Sequence, residues 1–147
     1  MSVSGIACAF VCASVLGILP AFAQERLTGV WLTADKSSHV AFLPCGQEDC
    51  GKITWLREPI DTETGMPWRD GFNPEKPLKQ RPLIGLAMFT QLRPAGEGIW
   101  KGELYNPLDG KTCTGRLQLL GPDQLQLRGC ALAGLLCQTE VWTRVTP

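Results

Sequence analysis

The sequence predicts an all-β fold, a small antiparallel up-and-down barrel of about eight strands. Three observations carry that prediction. Short segments alternate apolar and polar residues between Gly, Pro, Asp and Asn punctuation, no stretch holds helical spacing for long, and so many short strands leave exposed edges unless the sheet closes. Two stacked sheets are the alternative, since strand number alone does not separate a sandwich from a barrel.

Strands are expected near 28–34, 38–45, 50–56, 85–93, 98–106, 111–120, 124–129 and 137–145. Alternation is clearest in Leu117-Gln118-Leu119 and Leu125-Gln126-Leu127, joined by Gly121-Pro122-Asp123. That hairpin has a mechanism, because Pro fixes φ and Gly tolerates positive φ. The apolar run 132–136 is too short for a helix and is flanked or interrupted by Gly129 and Gly134.

Between the third and fourth strands, residues 57–82 contain Pro59, Pro67, Pro74, Pro77 and Pro82. Prolines this dense forbid a central strand or a long helix. The segment reads as a surface excursion with a helical turn near Lys76–Lys79, mobile around Asp61–Gly65, or as a flap over the barrel mouth with Trp68 and Phe72 as apolar feet.

The first 23 residues read differently from the rest. From Ile6 to Leu19 there is no charge, Pro20 breaks the run, and Ala21-Phe22-Ala23 offers small residues where a signal peptidase reads. The expected chain is a signal peptide, 1–23, cleaved after Ala23, followed by one domain, 24–147, in the periplasm or outside the cell. Met1–Gly5 carries no Lys or Arg, which departs from the usual positive start. The rival, an uncleaved anchor, would need about 20 unbroken apolar residues, and Pro20 cuts the run short.

Fourteen basic and 14 acidic residues give a formal net charge of zero, and all of them follow the leader. Without a basic excess there is no footprint for a phosphate backbone and no electrostatic draw toward an anionic membrane. Nucleic acid is excluded as a partner on that ground.

An oxidising compartment favours disulfides over thiolate ligands. Cys45 and Cys50 flank Gly46-Gln47-Glu48-Asp49, read as a four-residue hairpin loop, and should bridge. Cys130 and Cys137 flank an apolar Gly-containing loop and form the second natural pair. Each closes a short loop, worth about 2 to 3 kcal/mol in the chain-entropy account. Cys113 is then the odd thiol, and a Cys113–Cys130 bridge with Cys137 free is the rival. The spacings lack the two-residue step of zinc knuckles, so no metal is assigned.

A search for catalytic groups finds little. His39 is the only histidine, and Ser37 and Ser38 precede it without the strained turn that presents a nucleophile. Cys113 with His39 would make a nucleophilic pair, but an inert buried thiol is the plainer reading. Gly96-Glu97-Gly98-Ile99-Trp100-Lys101-Gly102 misses the dinucleotide fingerprint and opens a strand, so it is a hairpin signal. Asp61, Glu63 and Asp70 read as solvated loop carboxylates unless two of them share a cleft. No cofactor and no reaction are assigned.

Five motifs then converge on one pattern. Gly29-Val30-Trp31, Cys50-Gly51-Lys52-Ile53, Asn73-Pro74 with Arg81-Pro82-Leu83-Ile84-Gly85, Tyr105-Asn106-Pro107 with Gly110-Lys111, and Trp142-Thr143-Arg144-Val145 together resemble the DUF2147 family of exported bacterial domains. The resemblance covers 28–145 and implies a lipocalin-like barrel, in which a late Arg packs on the Trp of a Gly-x-Trp opening. Carried over, Gly29, Trp31 and Arg144 are the structural residues at the closed end. The sequence departs from the pattern at Cys113, where the resemblance implies an aromatic residue. It offers no catalytic residues.

Two functions of different class follow. One is a monomeric binding module for a small apolar or amphipathic ligand, with Trp68, Phe72, Asn73, Arg81 and Tyr105 as candidate contacts. The other is a structural or interaction module of the cell envelope with a packed barrel and no ligand. A cavity of about 300 Å³ or more favours the first.

Overall fold

The computed structural model describes residues 26–131 and 134–145, so the expected signal peptide lies outside the described residues. Eight antiparallel strands close into one barrel in sequence order: β1 (Gly29–Leu32), β2 (Ser38–Cys45), β3 (Glu48–Leu56), β4 (Ala87–Gly96), β5 (Ile99–Asn106), β6 (Lys111–Gly121), β7 (Gln124–Ala131) and β8 (Leu136–Arg144). β1 and β8 close the barrel through the pairs Trp31↔Arg144 and Leu32↔Thr143. The sandwich is therefore set aside.

Several strand ends differ from expectation by one to three residues, and two of them have clear local reasons. β1 stops at Leu32 because Asp35 organises the turn, accepting from the Thr33 hydroxyl at 2.7 Å and the Ser37 amide at 3.0 Å, with Lys36 at φ 60°. β3 starts at Glu48 because Cys45 pairs with Glu48, which shortens the expected four-residue loop to Gly46-Gln47. Gly46 supplies the positive φ, 73°, that so tight a turn requires.

Alternation fills the interior. In the β6–β7 hairpin Leu117 faces Leu127 and Leu119 faces Leu125 across the pair. Trp31, Trp100 and Trp142, all 2% exposed or less, meet Phe42, Phe89, Leu92 and the leucines of that hairpin in one core. Phe89 lies 5.3 Å from the Phe42 ring and meets Trp142 edge-on at 5.8 Å, both favourable aromatic separations. Gly51 makes this packing fit, since a Cβ there would come within 2.7 Å of Phe42. The middle of the barrel is a core, not a chamber.

Both natural cysteine pairs are bridged. Cys130 and Cys137 oppose each other across β7 and β8 with Cα atoms 4.1 Å apart. Cys45 and Cys50 bridge diagonally, with Cα atoms 5.8 Å apart, because Cys50 is paired with Leu43 and Cys45 with Glu48. Cys113 is a free thiol. Strand alternation explains why it does not take Cys130: Cys113 shares a face with buried Leu117, whereas Cys130 lies on the face opposite buried Leu127, so the sheet stands between them.

Burial pushes the Cys113 thiol above its usual range, with Asp109 adding to the shift and the Cys130 backbone opposing it. Iodoacetamide at neutral pH should therefore label native Cys113 at least about tenfold more slowly than the unfolded chain. Peptide mass spectrometry reads the rate, and equal labelling of native and unfolded protein would contradict the placement.

Candidate functional site

The chain between β3 and β4 begins at the root of β3 and folds on itself before β4. Ile60 bridges Pro67, Arg69 bridges Pro82, and a 3₁₀ helix spans Lys76–Gln80. The Asp61–Gly65 tip folds into a hydrogen-bonded turn. Gly65 N–H donates to the Asp61 carbonyl at 2.7 Å, and the Asp61 carboxylate accepts from Glu63 N–H and the Thr64 hydroxyl.

The apolar feet are not the expected ones. Trp68 is 42% and Phe72 67% exposed, whereas Leu83 and Leu86 are buried against Ile53 and pack with Leu56, Met88 and Tyr105. The physical reason lies in the return strand. Leu83 N–H donates to the Trp68 carbonyl and Ile53 N–H to the Leu86 carbonyl, so residues 83–86 run onto the sheet while 68 and 72 ride above it.

Asp70 is the polar anchor, and it corrects the reading of a solvated carboxylate. It is fully buried, and Tyr105 Oη donates to its Oδ1 at 2.5 Å while Asn73 Nδ2 and Arg81 Nε donate to Oδ2, each at 2.8 Å. Arg81 also stands over the Tyr105 ring, 5.8 Å from its centroid. Burial disfavours the charged carboxylate, but donation from Tyr105, Asn73 and Arg81 outweighs it and holds Asp70 below the ordinary carboxylate range. The same burial, with Asp70 alongside, pushes the Tyr105 phenol up. Asn73, Arg81 and Tyr105 were named from sequence as ligand contacts, and the structure turns their polar atoms onto Asp70. Asp61 and Glu63 lie apart from this cluster, so no pair of carboxylates shares the cleft.

Trp68 and Phe72 come together beside it. With Met66, Leu108, Lys79 and Asp61 they frame a groove of about 510 Å³ between the excursion and the β5–β6 turn. The two segments touch directly, since a side chain on Gly110 would overlap the Phe72 carbonyl. A second, more polar depression of about 670 Å³ lies at the opposite rim, lined by Arg26, Glu48 and Arg93. Its charges are engaged with each other or with Asp49. It suits an apolar ligand less well.

That opposite rim is the closed end. Arg144 stacks on Trp31, 4.2 Å from the ring centroid, while its Nε donates to the Pro122 carbonyl at 2.6 Å and its Nη1 to the Thr28 carbonyl at 3.4 Å. Gly29 has φ 101°, and a Cβ there would overlap the guanidinium. Sequence reasoning missed Asp49, whose buried carboxylate accepts from Leu27 N–H at 3.1 Å and from Arg26 at 3.0 Å, seating Leu27 as a plug. From sequence, Asp49 reads as part of the hairpin loop, outside the strand, so nothing there marked it for burial.

His39 stacks on Trp55 on the outer surface, ring centroids 4.4 Å apart, and the Ser37 hydroxyl donates to Asp35 at 2.8 Å. These groups are not arranged for nucleophilic attack.

An eight-stranded antiparallel barrel with a Trp–Arg stack at its closed end has a lipocalin-like fold. The chain matches the family described as "Uncharacterized protein conserved in bacteria (DUF2147)" over residues 29–144, and it belongs to that family. Among solved structures it is similar to protein HP1028 from Helicobacter pylori, described as belonging to the lipocalin family, at 24% identity and a TM-score of 0.70. The match covers 82% of this chain and 84% of that one, and at this identity it speaks for the fold. No curated protein matches the chain.

Proposed function

We propose that the chain is an exported, extracytoplasmic binding module for a small apolar or amphipathic ligand, and that the ligand lies in the groove beside the excursion. The observation that carries this reading is the 510 Å³ groove walled by exposed Trp68, Phe72 and Met66. Its volume falls in the range of about 300 to 1,000 Å³ common for small-molecule sites. Arg69 and Lys79 on its wall supply cations for the polar end of an amphipathic ligand. Two disulfides support export, because such bridges persist in oxidising compartments. The reading assigns no reaction to the chain.

A second reading, a structural or protein-interaction module, draws on the barrel middle filled by Trp31, Trp100, Trp142 and Phe89. Titration with a fluorescent fatty acid separates the two. Saturable binding, with quenching of Trp68 emission and at least about tenfold weaker affinity in Trp68→Ala plus Phe72→Ala, is the expected result. Saturable binding that this double variant leaves unchanged would move the ligand elsewhere, and no saturable binding would favour the structural reading.

A further inference from the structure

β1 is much shorter than the strand it closes against. It pairs only with Thr143 and Arg144, whereas β8 begins at Leu136. Beyond Leu32 the chain turns away toward Ser38, so 136–142 is paired to β7 on one side and to no described strand on the other. Two bonds fix which backbone groups face that open side. Arg144 N–H donates to the Asp123 carbonyl, toward β7, at 3.0 Å, and Val145 N–H donates to the Val30 carbonyl, toward β1, at 2.8 Å. The β7–β8 register runs without a bulge, so odd-numbered residues keep the β1 direction along the strand. Cys137, Thr139 and Val141 therefore hold their N–H and C=O groups at a bare edge, with no backbone bond to a described residue there.

Folded proteins usually blunt such an edge with lysine, proline, a bulge or a covering segment. From 136 to 142 there is no Lys, Pro or Gly, the register is unbroken, and no described helix lies over the strand. Gln138, Thr139, Glu140 and Val141 are all exposed. The one charge, Glu140, lies on the same face as Trp142 and accepts from its Nε1 at 3.0 Å.

The edge is complementary to itself. When two such edges run antiparallel about Thr139, Cys137 meets Val141 of the second copy, Thr139 meets its counterpart, and all three outward residues exchange both backbone bonds. On the other face Gln138 then stands opposite Glu140 of the second copy at both ends, an amide donor against a carboxylate. Centring the pair one residue later opposes the two Glu140 carboxylates, and centring it one residue earlier sets Glu140 against Leu136. A foreign extended peptide would satisfy the same backbone groups, but the side-chain match is to the edge's own sequence.

We propose that two copies of the chain join through this edge, β8 to β8 in antiparallel register about Thr139, as a twofold dimer in place of the monomer expected from sequence. No residue of β8 lines the 510 Å³ groove, so the contact does not depend on that groove holding a ligand.

The test is sedimentation velocity of the chain from residue 24, which carries every described element, over a concentration series. The expected result is a reversible monomer–dimer equilibrium that responds in opposite directions at one position. Gln138→Glu, which sets like charges opposite at both ends, should weaken the dimer about fivefold, and Gln138→Lys, which faces Glu140 of the second copy, should tighten it by a similar factor. Gln138 is exposed, so neither change should move the thermal midpoint of the dilute monomer. Hydrogen exchange supplies the location, since the Thr139 and Val141 amides should slow only as the dimer fills. A protein that stays monomeric up to about 1 mM, a dimer whose affinity both Gln138 variants leave unchanged, or a dimer in which those two amides stay unprotected would each overturn the proposal.

Discussion

Asp70→Ala should cost about 3 kcal/mol of stability and release the excursion from the barrel. The loss is large because one buried carboxylate receives Tyr105, Asn73 and Arg81, and its removal leaves the Tyr105 hydroxyl without its acceptor and the buried Asn73 amide with only its longer bond to the Tyr105 oxygen. Arg81 is part-exposed and recovers water, which keeps the figure below that of a fully buried pair. Tyr105→Phe removes one donor to Asp70 and an acceptor of the Asn73 amide, which keeps Asp70, and should cost about 1 to 2 kcal/mol. Limited proteolysis provides the local readout, with cleavage between 57 and 82 rising in Asp70→Ala while β6 and β7 stay protected. Unchanged cleavage would show that Leu83 and Leu86 hold the segment without help.

The pH dependence has a definite sign. The Asp70 carboxyl is held below its unfolded value of about 3.9, so its contribution is present above that pH and lost as pH falls through the folded value. The Tyr105 phenol is raised above about 10, so its contribution is present below that pH and lost as pH rises through the folded value. Stability of the native protein minus that of Tyr105→Phe should therefore be flat from about pH 4 to 10 and fall outside it.

The second large effect is expected at Gly29→Ala, at about 3 kcal/mol. Positive φ in a residue with a side chain costs about 1 to 2 kcal/mol, and displacing Arg144 from Trp31 removes a stack worth about 0.5 to 2 kcal/mol. Arg144→Lys, which keeps charge but not the planar stack, should cost about 1 kcal/mol and leave ligand binding unaltered. A double-mutant cycle with Arg144→Ala divides the two contributions. If the guanidinium is what a Cβ meets, Gly29→Ala should be milder by about 1 kcal/mol once Arg144 is gone. Additive losses would leave backbone strain as the whole cost.

The strands were legible because a half-buried strand writes its period into the sequence. Val40 and Phe42, Leu117 and Leu119, and Leu125 and Leu127 each show it, and Trp31 with Arg144 was readable through the resemblance. The excursion was legible only as an interruption, since proline density says what a segment cannot be and not where it lands. Leu83 and Leu86 sit in an irregular run with no period to reveal their burial. Asp70 was misread for a similar reason. Its donors come from 3, 11 and 35 residues away, and nothing within the loop marks that convergence. Trp68 and Phe72 looked like anchors because large aromatics usually are, yet the backbone bonds of residues 83–86 claim the sheet first.

The seam between β1 and β8 has a consequence for the order in which the chain folds. Every other strand pairing joins sequence neighbours, whereas closure brings Arg144 to the Thr28 carbonyl across 116 residues. Loop-closure entropy makes that encounter the most expensive of the set, and only two residue pairs of the ladder reward it. The open sheet is thus the natural precursor, its first and last strands both bare. Arg144 gives the closing step a landmark, since its guanidinium, held by the Pro122 carbonyl on its own side of the seam, meets the Trp31 face and the Thr28 carbonyl across it. Edge-to-edge association of two chains competes for the same bare strands until that latch is made.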